Sequence, residues 1–147
     1  MGGFHLTRDD PGAEARLRAA RARFRSHGFG EPTDFALPGW RGFHCGYIHG
    51  GPTTFLRRGD NFIALAGTLL AGDQLGEPAL EHLLDRFTTP FDGWSNTSGQ
   101  FAALVVKAGR ATLFTDYFGA FQLFHDPDFT NISTSFLAVA EAQPRLH

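Results

Sequence analysis

Apolar residues recur at helical spacing in two stretches of this chain, a third stretch is helical in composition, and strand-like runs make up most of the remainder. Behind an acidic start at Asp9-Asp10-Pro11, Ala13, Leu17, Ala20 and Phe24 follow one another at four, three and four residues, the spacing of one helical face. Arg16, Arg18, Arg21, Arg23 and Arg25 fill much of the other surface until Gly28, which predicts an amphipathic helix that ends there with a solvated basic face. Glu77-Pro78 followed by Leu80, Leu83, Leu84 and Phe87 predicts a second, shorter helix. A third, over 135–142, begins at a Thr or Ser cap and stops before Pro144.

The segments between them read as strands and turns. Prolines and a glycine make 31–39 a loop, and 40–49 is a strand rich in aromatic residues, closed by Gly50-Gly51-Pro52. Strands over 53–58 and 62–70 join through Gly59-Asp60-Asn61, good turn residues for a hairpin. After a polar, turn-rich stretch over 88–99, four strand-like runs follow at 100–107, 110–117, 120–125 and 129–134. The predicted order is strand, helix, three strands, helix, four strands, helix. Strands grouped apart from helices imply antiparallel sheets with helices packed outside, an α+β class, within a single domain over 1–147.

Composition sharpens this picture. Sixteen Phe against two Tyr and two Trp means that most aromatic surface has no polar handle and belongs in a broad core. A net charge of −2 argues against nucleic-acid binding by general phosphate attraction. The charge is uneven: residues 1–58 hold nine Arg and five acids, residues 59–147 four bases and ten acids. The single cysteine, Cys45, permits no internal disulfide, the start Met1-Gly2-Gly3-Phe4 lacks the apolar stretch of a signal peptide, and no apolar run approaches the roughly 20 residues of a membrane span. These features predict a soluble, cytoplasmic protein with no membrane and no nucleic-acid partner.

Chemistry-bearing residues are sparse. There is no phosphate-cradling glycine loop and no Cys or His pair at zinc spacing, and His5, His44 and His49 read as isolated core or surface histidines rather than metal ligands. His44 and Cys45, adjacent on a strand, point to opposite faces and form no nucleophile-base pair, so Cys45 is expected to be buried and inert. A residual hydrolase using Cys45 with His5 or His49 is the weakest functional reading. Asp116, Asp126 and Asp128 make no general-acid pair, and Asp116, ahead of Phe118-Gly119, is expected to accept backbone N–H groups in a turn.

The run Ser98-Gly99-Gln100-Phe101-Ala102-Ala103-Leu104-Val105-Val106, followed by Leu113-Phe114-Thr115-Asp116-Tyr117-Phe118-Gly119-Ala120-Phe121-Gln122-Leu123-Phe124, resembles the glutaminase domain of asparagine synthetases. That family carries a glycine, a polar residue and Phe-Ala-Leu on one strand, then Arg-Asp-x-x-Gly and a Pro-Leu-Tyr-like end. Asp116, Gly119 and Leu123 match, while Thr115 stands for the arginine and Phe124 for the tyrosine. Ser133-Thr134-Ser135-Phe136-Leu137-Ala138-Val139-Ala140 resembles the family's strand-to-helix step, and Ala66-Gly67-Thr68-Leu69-Leu70 its Asn-Gly-Glu-Ile-Tyr. The resemblance spans about residues 61–142 and only weakly the first 60.

The resemblance implies a class II glutamine amidotransferase domain with an N-terminal-nucleophile (Ntn) hydrolase fold, a four-layer αββα sandwich of two antiparallel sheets flanked by helices. The family's nucleophile is a cysteine directly after the initiator methionine, with its own amine as base. Gly2 occupies that position here, Gly3 matches the family's glycine, and Ala66 replaces the asparagine that holds the oxyanion, leaving only the Gly67 N–H. Arg57 and Arg58 are the nearest candidates for an arginine that clamps the glutamine carboxylate. β-Lactam synthetases and lasso-peptide cyclases are similar in lacking the cysteine.

The expected function is therefore a degenerate, non-hydrolytic glutaminase-like domain with no catalytic residue of its own, its degenerate pocket comprising Gly2, Gly3, Ala66, Gly67 and Asp116. It would dock a C-terminal synthetase half, in the same chain or separate, and ATP and Mg are implied only for that half. The competing expectation is a small-ligand or peptide module in space emptied around Gly2, Gly67 and Gly99. A homo-oligomer is compatible with either.

Overall fold

The computed structural model describes residues 2–143. Strands form two antiparallel sheets. The first has the order β2 (Phe29–Leu37), β3 (Trp40–Tyr47), β1 (Gly3–Arg8), β10 (Asn131–Ser133) and β9 (Phe124–His125), with β1 in the middle. The second runs β4 (Phe55–Arg58), β5 (Asn61–Ala71), β7 (Thr97–Lys107) and β8 (Arg110–Thr115), and β6 (Gln74–Leu75) folds back on the end of β5.

Alternation along the strands sends each sheet's two faces to different cores. Phe4, Leu6 and Phe35 of the first sheet meet Phe62, Ala64, Ala66, Ala102 and Leu104 of the second, so the sheets stack face to face. The opposite face of the first sheet, with Phe43 and Cys45, is covered by Leu17, Ala20 and Phe24 of α1 (Ala13–Ser26) and by Ala138 of α3 (Phe136–Ala142). The opposite face of the second, with Ile63, Leu65, Ala103 and Val105, is covered by Leu80, Leu83 and Leu84 of α2 (Glu77–Arg86). Helices, sheet, sheet and helix thus follow in layers, as apolar faces on both sides of each sheet require.

The three helices form where the sequence predicts, except that α1 has Gly12 and not an acidic residue at its cap, with Pro11 before the helix, and that Pro144, expected to stop α3, lies outside the described residues. Gly28 leaves α1 at a φ of +82°, and the Ser135 hydroxyl accepts the Ala138 N–H at 3.3 Å to cap α3. The basic face of α1 is largely paired within the protein: Arg16 with Asp10, Arg21 with Asp34 and Arg23 with Glu141. Among the described residues no helix is long and apolar enough to cross a membrane.

Three predicted stretches are corrected. The expected loop over 31–39 is mostly strand β2, which tolerates Pro32 because it lies on the sheet edge and shifts register between Phe29 and Pro32. The strands expected over 120–125 and 129–134 shrink to two and three residues. In both, the missing ladder amides are bound elsewhere. The Asp116 carboxylate takes the N–H groups of Ala120 and Phe121, and Asp126 takes those of Thr130 and Asn131.

Candidate functional site

Residue 2 is buried immediately before the central strand β1, on the side that faces the second sheet. A Cβ on Gly2 would lie 2.5 Å from Thr54 Oγ1, 2.7 Å from His44 Nε2 and 2.8 Å from the Leu65 carbonyl oxygen, so the space a side chain would need is already filled. β4 pairs β5 only as far as Phe55 opposite Ala64. Beyond that point Leu65 donates its N–H to Thr54, and its carbonyl accepts from His44 Nε2 at 3.1 Å. Burial pushes the His44 pKa down to about 4, with the bond to Leu65 acting in the other direction. The ring is therefore neutral, with its proton on Nε2.

Gly3 faces the other way. A Cβ there would meet Phe24, Phe29 and Thr134 beneath α1, so Gly3 shares no surface with Gly2. Ala66 lies in the core between the sheets. Gly67, at φ +93°, and Gly99, at φ +115°, sit where β5 and β7 approach so closely that a Cβ would strike the neighbouring strand's Gln100 and Thr68 carbonyls. The Phe121 ring lies against Gly67 as well. The space around these residues is consequently packed. The cavity beside Thr54, Leu65 and Gly67 measures about 20 Å³, room for a single water.

Asp116 reaches this region through Phe121 and through Phe101, which lies opposite Gly67. Its carboxylate accepts the N–H groups of Phe101 at 3.3 Å, Ala120 at 2.9 Å and Phe121 at 2.9 Å, the turn role expected from its position. Desolvation raises the carboxyl pKa, but these backbone donors outweigh it and hold the group below its ordinary value. Arg57 and Arg58 diverge. Arg57 donates to the Asp34 carbonyl and stacks on Phe55 and Phe62, while Arg58 pairs with Glu81 of α2. Neither touches the pocket beside Thr54 and Gly67.

The remaining candidates do not assemble into a catalytic group. Cys45 lies beneath α1, and burial pushes its thiol up to about 12, which leaves no thiolate at neutral pH. His44 faces the opposite side, His5 is buried on the α1 side against Phe43, and His49 is exposed in the turn after β3, so the three histidines do not converge. Among the described residues no group of His, Cys, Asp and Glu gathers at metal-ligand distance.

The residues that sequence reasoning missed are Thr54 and the role of His44. Both are nine-tenths or more buried, and both line a shallow cleft of about 280 Å³ with Thr33, Gly46 and Tyr47. No local motif marks them, because they meet only when the two sheets stack. Compared with known proteins, the chain matches no family model, no curated protein and no solved structure.

Proposed function

We propose that this chain is a degenerate glutamine amidotransferase domain of the Ntn-hydrolase type, which does not hydrolyse glutamine and serves as a docking domain for an ATP-dependent, amide-forming synthetase half. The observation that carries the reading is the placement of residue 2. In two face-to-face antiparallel sheets flanked by helices, it directly precedes the central strand, and in sequence it stands where the family it resembles has its nucleophile. Glycine there has no attacking atom, and the His44, Thr54 and Leu65 contacts around it leave none room to be added. The alternative, a ligand module in an emptied pocket, has less support, because the space is closed by Phe121 and reduced to about 20 Å³.

The test has two parts. Purified chain incubated with glutamine should release neither ammonia nor glutamate, and measurable turnover would overturn the reading. Mixed with an asparagine-synthetase-type ATP-binding domain whose own glutaminase domain has been removed, the chain should co-elute as a complex. Elution as two separate species would count against the docking role.

A further inference from the structure

Among the described residues five strands lie at sheet edges: β2 and β9 in the first, β4, β6 and β8 in the second. A free strand edge offers unpaired N–H and C=O groups, and proteins blunt such edges with proline, bulges, charge or brevity. Four of the five are blunted in those ways. β2 carries Pro32, Glu31, Asp34 and a register shift, β4 is four residues long and ends in Arg57-Arg58, and β6 and β9 have two residues each. β8, Arg110–Thr115, has none of these devices: six residues in unbroken register with β7, without proline or acid, and a single charge at its first position.

We propose that the outer edge of β8 is a strand-pairing surface and that its occupant is a second copy of this chain, paired antiparallel about a two-fold axis at Thr112. The strand suits itself in that register. Side chains alternate so that Leu113 faces the core between the sheets and Phe114 the outer core. A two-fold axis normal to the sheet keeps both assignments, and Thr112 then lies opposite Thr112, Ala111 opposite Leu113 and Arg110 opposite Phe114. The only charge on the strand therefore lies opposite an aromatic residue and never its own kind.

The segment that follows β8 favours the same surface. Tyr117 is 72% exposed and Phe118 89% exposed, their rings in edge-to-face contact, on a turn that Asp116 holds with three N–H bonds. Two large aromatics kept in water on a fixed turn cost free energy that a covering partner recovers. In the register above they lie at the end of the paired strands, beside the other copy's Ala108-Gly109 turn. The two second sheets would form one continuous antiparallel sheet across the pair.

Sedimentation equilibrium of the full chain over a concentration series tests this. The wild-type chain should show a monomer–dimer equilibrium, and Thr112→Lys, which sets two ammonium groups face to face, should weaken it by about tenfold or more. Thr112→Cys should form an inter-chain disulfide under mild oxidation, Cys45 being buried and unavailable to compete. This variant keeps the test valid should the lysine variant misfold. A wild-type chain that stays monomeric throughout would overturn the proposal. So would a dimer that is unaffected by Thr112→Lys and leaves Thr112→Cys uncrosslinked.

Discussion

His44 on β3 donates its Nε2 proton to the Leu65 carbonyl on β5 at 3.1 Å, a polar tie across the gap between the two sheets. The Leu65 carbonyl needs a donor because β4 has already left β5 at that point, and an unpaired buried carbonyl is costly. The bond therefore does two things at once. It satisfies the strand end, and it places an imidazole where a side chain on residue 2 would have to go.

Restoring a side chain at position 2 should damage the fold without restoring chemistry. Gly2→Cys and Gly2→Ala both drive a Cβ against the Leu65 backbone oxygen, which cannot swing aside as a flexible side chain can. Overpacking of this kind costs about 1–3 kcal/mol, a fall in Tm of several degrees for a chain of this length. Thermal melts of the two variants measure it, and Gly2→Cys should remain without glutaminase activity. An unchanged Tm would mean that the space around residue 2 is more open than these contacts indicate.

Acid should weaken the protein through two histidines. Burial lowers the pKa of His5 to about 4, and neither ring nitrogen has a hydrogen-bond partner. His44 is lowered to about 4 as well. Unfolded histidine titrates near 6.5, so below that pH the unfolded chain binds protons that the folded chain refuses. Stability should be full above about pH 7 and decline from about pH 6.5 to about pH 4, by up to roughly 1.4 kcal/mol per pH unit for each histidine. Asp116 and Asp126, held below 3.8, add their loss only at lower pH.

The same titration distinguishes the two rings. His5→Met removes two unpartnered nitrogens from a fully buried site, so it should leave stability at pH 7 unchanged or raised and roughly halve the acid slope. His44→Gln keeps a donor for Leu65 and should also flatten the slope, with a small loss at neutral pH. Urea unfolding at pH 7 and pH 5 supplies all of these values. An acid limb that both variants leave intact would assign it to other groups.

Asp116→Ala should loosen the turn that follows β8. It leaves the N–H groups of Phe101, Ala120 and Phe121 without their carboxylate acceptor, at a cost of about 2 kcal/mol. Because Phe121 rests on Gly67, the disturbance should spread to β5, and amide hydrogen exchange would show faster exchange at residues 117–121 and at Gly67. Protection unchanged at Gly67 would confine the role of Asp116 to its own turn.

Lys107, the chain's one lysine, reaches from the end of β7 to the last turn of α2. Its Nζ donates to the Asp85 carbonyl at 2.8 Å and the Phe87 carbonyl at 3.4 Å, where a cation also complements the helix dipole. Lys107→Met should cost about 1 kcal/mol. Chemical denaturation measures the loss, and Lys107→Arg should recover most of it.

Local patterning made much of the architecture legible. The four-three-four spacing of Ala13, Leu17, Ala20 and Phe24, the Glu77-Pro78 start and the Ser135 cap are properties of neighbouring residues, so the three helices could be read directly. Alternation likewise separated His44 from Cys45, because successive strand residues must face opposite ways. The grouping of strands between helices was enough for the α+β class. Tertiary structure decided the rest. β2 is a strand because β3 pairs with it, although the prolines and the glycine over 31–39 read as loop, and the strands expected over 120–125 and 129–134 are short because Asp116 and Asp126 take their amides. The packed state of the Gly2, Ala66 and Gly67 region was beyond any local signal. It depends on His44, Thr54, Leu65 and Phe121, residues up to 119 positions from Gly2 that meet only once the sheets stack, and no spacing within one segment records a contact made between segments.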